Sequence, residues 1–188
     1  MSDEEELIPE FIPVPAEFQS FATDSLFERC CICDRHLLED GTQYLIEKAI
    51  ERNEVVFELA FCLPCQLGVR SEFSEGSLRT LKHYFEERVC IETRKPNLIA
   101  LHGLDHTPWI SHCIFCNQPS DGPEWKQLVA LCDGPDLLFT ETAPLMICQQ
   151  DILQIQKIMS KKTKDCMDGF IDDVLGKPSG TVDLPFLV

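Results

Sequence analysis

Apolar positions along this chain fall into two kinds of pattern, and each predicts its own element. Gln43-Tyr44-Leu45-Ile46-Glu47-Lys48-Ala49-Ile50 and Val55-Val56-Phe57-Glu58-Leu59-Ala60-Phe61 are short runs rich in β-branched and aromatic residues. The polar stretch Glu51-Arg52-Asn53-Glu54 separates them, so the pair reads as a β-hairpin. Beyond it the period lengthens. An amphipathic stretch runs on from Gln66 with Leu67, Val69 and Phe73 apolar. Leu78, Leu81, Tyr84, Phe85 and Val89 then recur at helical spacing, after a start signalled by Ser74 three residues before Ser77. Residues 94–112, which include Arg94-Lys95-Pro96 and Pro108-Trp109, break the period and read as a connector.

The first twenty residues carry Asp3, Glu4, Glu5 and Glu6, prolines at 9, 13 and 15, and no basic residue. They predict a flexible or extended arm, although Leu7 to Val14 is apolar enough to dock on a surface.

Laid over one another, the two halves correspond in order and approximate spacing. Cys30-Cys31-Ile32-Cys33 matches Cys113-Ile114-Phe115-Cys116, Val56-Phe57-Glu58 matches Leu138-Phe139-Thr140, and Cys65-Gln66 matches Cys148-Gln149. From Ser74 and Ser160 the closing helices match without a gap: Ser77 with Thr163, Leu81 with Met167, Tyr84 with Phe170, Glu86-Glu87 with Asp172-Asp173. The expected organisation is an acidic arm (1–21), a metal-binding module (22–92), a connector (93–107), a related but degenerate module (108–176) and a C-terminal tail (177–188).

Cysteine spacing supplies the candidate chemistry. Cys30 and Cys33 precede the hairpin, and Cys62 and Cys65 follow it at a helix start. Two such pairs give a zinc ion the four thiolates of a tetrahedron, and a helix N-terminus stabilises a thiolate. This order resembles a treble-clef or zinc-ribbon type finger. The resemblance covers about the first half of the chain and concerns architecture alone. It implies Cys30, Cys33, Cys62 and Cys65 as ligands, and an α+β fold of two tandem modules, each a knuckle, a hairpin and following helices.

The second module offers Cys113, Cys116 and Cys148, with Leu145 where the repeat would place a further cysteine. Cys132 is the leading candidate for the fourth ligand, and His112 or His106 are alternatives. A degenerate copy without metal is the competing reading. Cys31 is expected to point away from the first cluster or to lend a thiol beside it. Cys90 and Cys166 read as small buried hydrophobes. His36 and His83 read as surface residues.

Composition narrows the function. The chain has 188 residues, 44% of them hydrophobic, 11 cysteines and a formal net charge of −16. No apolar run reaches the ~18 residues of a membrane span, and the acidic N-terminus lacks a signal-peptide layout. A cytoplasmic location follows as the expectation, where paired cysteines point to metal or redox chemistry more than to disulfides. The charge argues against nucleic acid, and the short basic clusters at Arg94-Lys95 and Lys161–Lys164 do little to offset it. No P-loop, dinucleotide turn, nucleophile elbow or His-Glu-x-x-His helix is present in the sequence. The leading expectation is a non-enzymatic protein with structural zinc that binds another protein. The alternatives are a thiol-disulfide oxidoreductase using Cys62-Leu63-Pro64-Cys65, or a rubredoxin-like iron electron carrier on the same four cysteines.

Overall fold

The computed structural model describes residues 10–121 and 125–176. The expected hairpin is present as β2 (Gln43–Glu51) and β3 (Glu54–Cys62), antiparallel from Tyr44 opposite Cys62 to Glu51 opposite Glu54, with the register shifting by one residue between Ala49 and Ile50. Arg52 and Asn53 both have positive φ, 52° and 66°, which turns the chain with the twist that a two-residue hairpin needs. Helix α1 (Leu63–Ser71) begins directly at Cys62, with Pro64 in its first turn where a missing N–H does no harm. Helix α2 (Glu75–Arg88) is capped by Ser74, whose hydroxyl accepts the Ser77 N–H.

The second half repeats this order with one interruption. Strand β4 (Lys126–Asp133) is followed by β5 (Asp136–Leu138) and β6 (Leu145–Cys148), both antiparallel to β4. Together β5 and β6 occupy the place that β3 holds in the first half. Helices α5 (Gln149–Ile158) and α6 (Lys161–Leu175) follow, and Ser160 caps α6 as Ser74 caps α2. The chain is therefore a mixed α+β structure, with six helices and one six-stranded sheet among the described residues.

The two halves meet inside that sheet. Strand β2 pairs with β4 antiparallel over eight positions, from Gln43 opposite Asp133 to Ile50 opposite Lys126. Tyr44 lies beside Cys62 and Lys126 lies beside Cys148, so these two residues are counterparts. Exchanging the halves then maps Tyr44–Cys132 onto Lys126–Ile50, and leaves Glu47–Val129 on itself. Glu47 and Val129 thus mark the centre of an approximate two-fold relation. The carboxylate of Glu47, buried there, accepts a 2.9 Å bond from Gln127 Nε2.

Two segments gain detail beyond the sequence expectation. Residues 11–18, read as part of a flexible or extended arm with an apolar stretch able to dock, are extended and fixed to the sheet over 11–13 and buried at Val14 and Phe18. There strand β1 (Phe11–Pro13) pairs with β5. The arm's continuation is held by Glu58, which accepts bonds from Ser20 Oγ (2.7 Å), the Phe21 amide (2.8 Å) and the Ala22 amide (3.2 Å). Lys48 stands 3.2 Å from Glu58 and donates to the Gln19 carbonyl. Residues 1–9 and the C-terminal tail 177–188 lie outside the described residues.

The connector is largely helical, as α3 (Ile91–His102) and α4 (Thr107–Ile110). Helix α3 buries none of its residues completely and carries Pro96 inside, which is why no helical stripe marks it in the sequence. Lys95 pairs with Glu10, while Ile91, Leu98 and Ile99 pack against the core, and one side chain reaches further. The Arg94 guanidinium donates to the carbonyls of Thr142 (2.7 Å), Pro144 (3.0 Å) and Trp109 (3.2 Å), and lies 4.6 Å from the Trp109 ring. Thr142 and Pro144 belong to the stretch that separates β5 from β6. Arg94 therefore satisfies carbonyls that an unbroken strand would have paired.

Candidate metal centres

Each knuckle is built by the same backbone bonds. The Cys30 amide donates to Arg35 O at 2.9 Å and the Asp34 amide to Cys30 O at 3.0 Å. In the second half the Cys113 amide donates to Gln118 O at 2.8 Å and the Asn117 amide to Cys113 O at 2.9 Å. Asp34 and Asn117 adopt φ of 60° and 57°, the left-handed region that Asp and Asn tolerate best after glycine. Each knuckle is also tied to the strand that carries the next cysteine: Cys31 N–H donates to Ala60 O, and Ile114 N–H to Met146 O, both at 2.9 Å. Residues 30–33 and 113–116 are thereby held against the ends of β3 and β6.

The first cluster gathers Cys30, Cys33, Cys62 and Cys65, with all four sulfurs within 4.8 Å of one another. Cys33 and Cys62 Sγ are 3.7 Å apart, and Cys30 Sγ accepts the Cys62 amide at 3.4 Å. Cys62 is the residue that caps α1, so Cys62 and Cys65 occupy the cap and first turn of one helix. Burial pushes the Cys30 thiol up, but the amides of Cys33, Cys62 and Ile32 outweigh it and bring the thiol down to about 7. Cys65 moves the other way, raised by burial and by sharing protons with Cys33 and Cys62. The amides around Cys30 thus favour its thiolate, the form that binds a metal. Cys31 is exposed and stands outside this group.

The second cluster gathers Cys113, Cys116 and Cys148, and its fourth member is Asp151. Cys116 and Cys148 Sγ are 3.5 Å apart, and Cys113 Sγ accepts the Cys148 amide at 3.4 Å, as Cys30 accepts that of Cys62. Cys113 and Cys148 donate to Asp151 Oδ2 at 3.2 and 3.3 Å. Tyr84 OH, from α2, donates to Asp151 Oδ1 at 2.6 Å. Burial works against the Asp151 charge, yet the thiols and the Tyr84 hydroxyl together hold its carboxyl below the usual range. Burial first, and the bond to Asp151 after it, push Cys116 up to about 11.

Cys132 does not join this cluster. It is buried on β4 directly opposite Tyr44. His112 is exposed with Nδ1 2.9 Å from Ser111 Oγ, and His106 lies 3.2 Å from Glu17. The alignment of the halves shifts accordingly. Cys148 caps α5 as Cys62 caps α1, so the counterpart of Cys62 is Cys148 and that of Cys65 is Asp151. Matching cysteine to cysteine sets Cys65 against Cys148 and hides the carboxylate. The spacing Cys148-x-x-Asp151 after an apolar strand was the signal that could have found it. Cys90, expected buried, is exposed at the start of α3, and Cys166 is half-buried.

Either group could hold a metal ion. No helix of the described residues is long and apolar enough to cross a membrane. No protein-family model, curated protein or solved structure matches the chain.

Proposed function

We propose that this chain is a non-enzymatic zinc-binding protein, that the metal is structural, and that the folded surface binds another protein. The observation that carries the metal reading is the geometry of the first cluster. Zinc bound by sulfur at about 2.3 Å in a tetrahedron sets neighbouring sulfurs about 3.8 Å apart. Cys33 and Cys62 stand at 3.7 Å, too far for a disulfide and close to that edge. The four donors come from a knuckle and a helix start, two elements that the ion would join across a strand hairpin.

The partner reading rests on charge and surface. With a net charge of −16, a basic protein surface is favoured over nucleic acid or an anionic membrane. Elemental analysis of freshly purified, reduced protein tests the metal reading. Zinc together with loss of the folding transition on chelation supports it. Iron with visible colour would move the protein to electron transfer. Metal-free protein with freely titrating thiols would overturn the reading and favour thiol exchange at Cys62 and Cys65. For the partner, salt-sensitive capture of a basic protein by the metal-loaded chain, lost on chelation, is the expected result.

A further inference from the structure

The second cluster has one donor whose two oxygens already have separate tasks. Asp151 Oδ2 faces the sulfurs of Cys113 and Cys148 at 3.2 and 3.3 Å. Its Oδ1 is occupied by the Tyr84 hydroxyl at 2.6 Å. Tyr84 is itself immobilised. Its ring meets Phe115 edge-on at 5.1 Å, and the Arg88 guanidinium lies 3.8 Å from its centroid. Phe115 sits in the second knuckle, so one aromatic contact and one hydrogen bond fix both sides of the cluster from α2, an element of the other half.

For tetrahedral zinc, sulfur at about 2.3 Å and a carboxylate oxygen at about 2.0 Å imply a sulfur–oxygen edge of about 3.5 Å. The observed edges are within about 0.3 Å of that, on the single oxygen left free by Tyr84. A carboxylate oxygen is a harder and less covalent donor to zinc than the thiolate in the corresponding place of the first cluster. Ligating carboxylates are held in place by partners such as Tyr84, and the affinity of the site depends on them.

We propose that Asp151 is a monodentate ligand, through Oδ2, of a second zinc ion. Tyr84 is its positioning residue, and this ion is the more exchangeable of the two. The proposal rests on the reading that the cysteine clusters hold zinc, and it adds a different occupancy and lability for each.

The test uses the full-length reduced protein loaded with zinc and a chromophoric chelator. Two ions per chain should leave in two phases. Asp151→Asn should abolish the early phase or make it faster, while Asp151→Cys should slow it until the phases merge. Tyr84→Phe should weaken the early-leaving ion about 10- to 100-fold and leave the late one unchanged. With cobalt in place of zinc, Tyr84→Phe should also shift the visible bands of the weaker site, a readout that altered packing alone would not move. Two ions leaving in one phase would overturn the proposal, as would parental kinetics in Tyr84→Phe or Asp151→Asn. One zinc per chain would overturn it and leave the first-cluster reading intact. No zinc at all would overturn both.

Discussion

Ser74 Oγ and Ser160 Oγ lie 2.8 Å apart, although each caps a helix of a different half. The contact is reciprocal. The Ser74 amide donates to Thr163 Oγ1 at 3.1 Å, and the Ser160 amide donates to Ser77 Oγ at 2.9 Å. Each helix start therefore supplies an acceptor for the other's cap. Thr163→Val and Ser77→Ala should each leave one amide without its partner and cost about 1–2 kcal/mol. Because the four side chains form one network, the double variant should depart from additivity by more than about 0.5 kcal/mol in denaturant titrations.

Arg94 is expected to be the most sensitive position of the former connector. Its guanidinium is desolvated enough to pull its pKa down to about 10, and it still bonds three carbonyls. Arg94→Leu should destabilise the protein by about 3 kcal/mol, because those carbonyls lose a charged donor. Arg94→Lys should recover little of this, since an ammonium cannot span three acceptors in one plane. Chemical denaturation of the two variants beside the parent checks both expectations.

Glu58 links the N-terminal segment to acid stability. Burial opposes its charge, but the Phe21 amide, Ser20, the Ala22 amide and Lys48 together lower its pKa. A carboxyl lowered on folding contributes stability above its ordinary value, and that contribution is lost as pH falls through the folded value. The melting-temperature gap between the parent and Glu58→Gln should therefore be full at neutral pH and close below about pH 4. A gap that stays constant down to pH 3 would remove Glu58 from the account.

Cysteine variants should separate ligands from packing. Cys62→Ser and Cys65→Ser should each reduce the metal content and lower the melting temperature by about 10 °C or more, since binding free energy is folding free energy in such units. Cys132→Ala should keep the parental metal content and lose about 1–2 kcal/mol to the small cavity it leaves. Elemental analysis with thermal melts on the same samples distinguishes the two behaviours.

The legible parts of the sequence were those whose local chemistry repeats over many residues. The hairpin of Gln43–Glu51 and Glu54–Cys62 announces itself by alternation and a polar turn, and α2 by its Ser74 cap and apolar stripe. Strand β1 has three residues, too few to show a period, and is held by pairing to β5 from far along the chain. Helix α3 is held by remote partners, Arg94 on the carbonyls of Thr142 and Pro144 and Lys95 on Glu10, tertiary contacts with no local mark. The first cysteine cluster was readable because four like residues stood at like spacings. The second cluster was not, because a carboxylate stands where the first has a sulfur, and a buried strand cysteine, Cys132, looks the same in sequence as one that joins a cluster.

The pairing of β2 with β4 carries one more consequence. The two strands correspond about a two-fold centre, so the edge of β2 that meets β4 would also fit the β2 edge of a second molecule in the same register. In that arrangement Glu47 would face another Glu47, two carboxylates side by side in a desolvated sheet. Within one chain it faces Val129, with Gln127 to bond it. By the repulsion of two facing carboxylates, the unlike pair at the centre would favour the first half's own second half over another chain's first half.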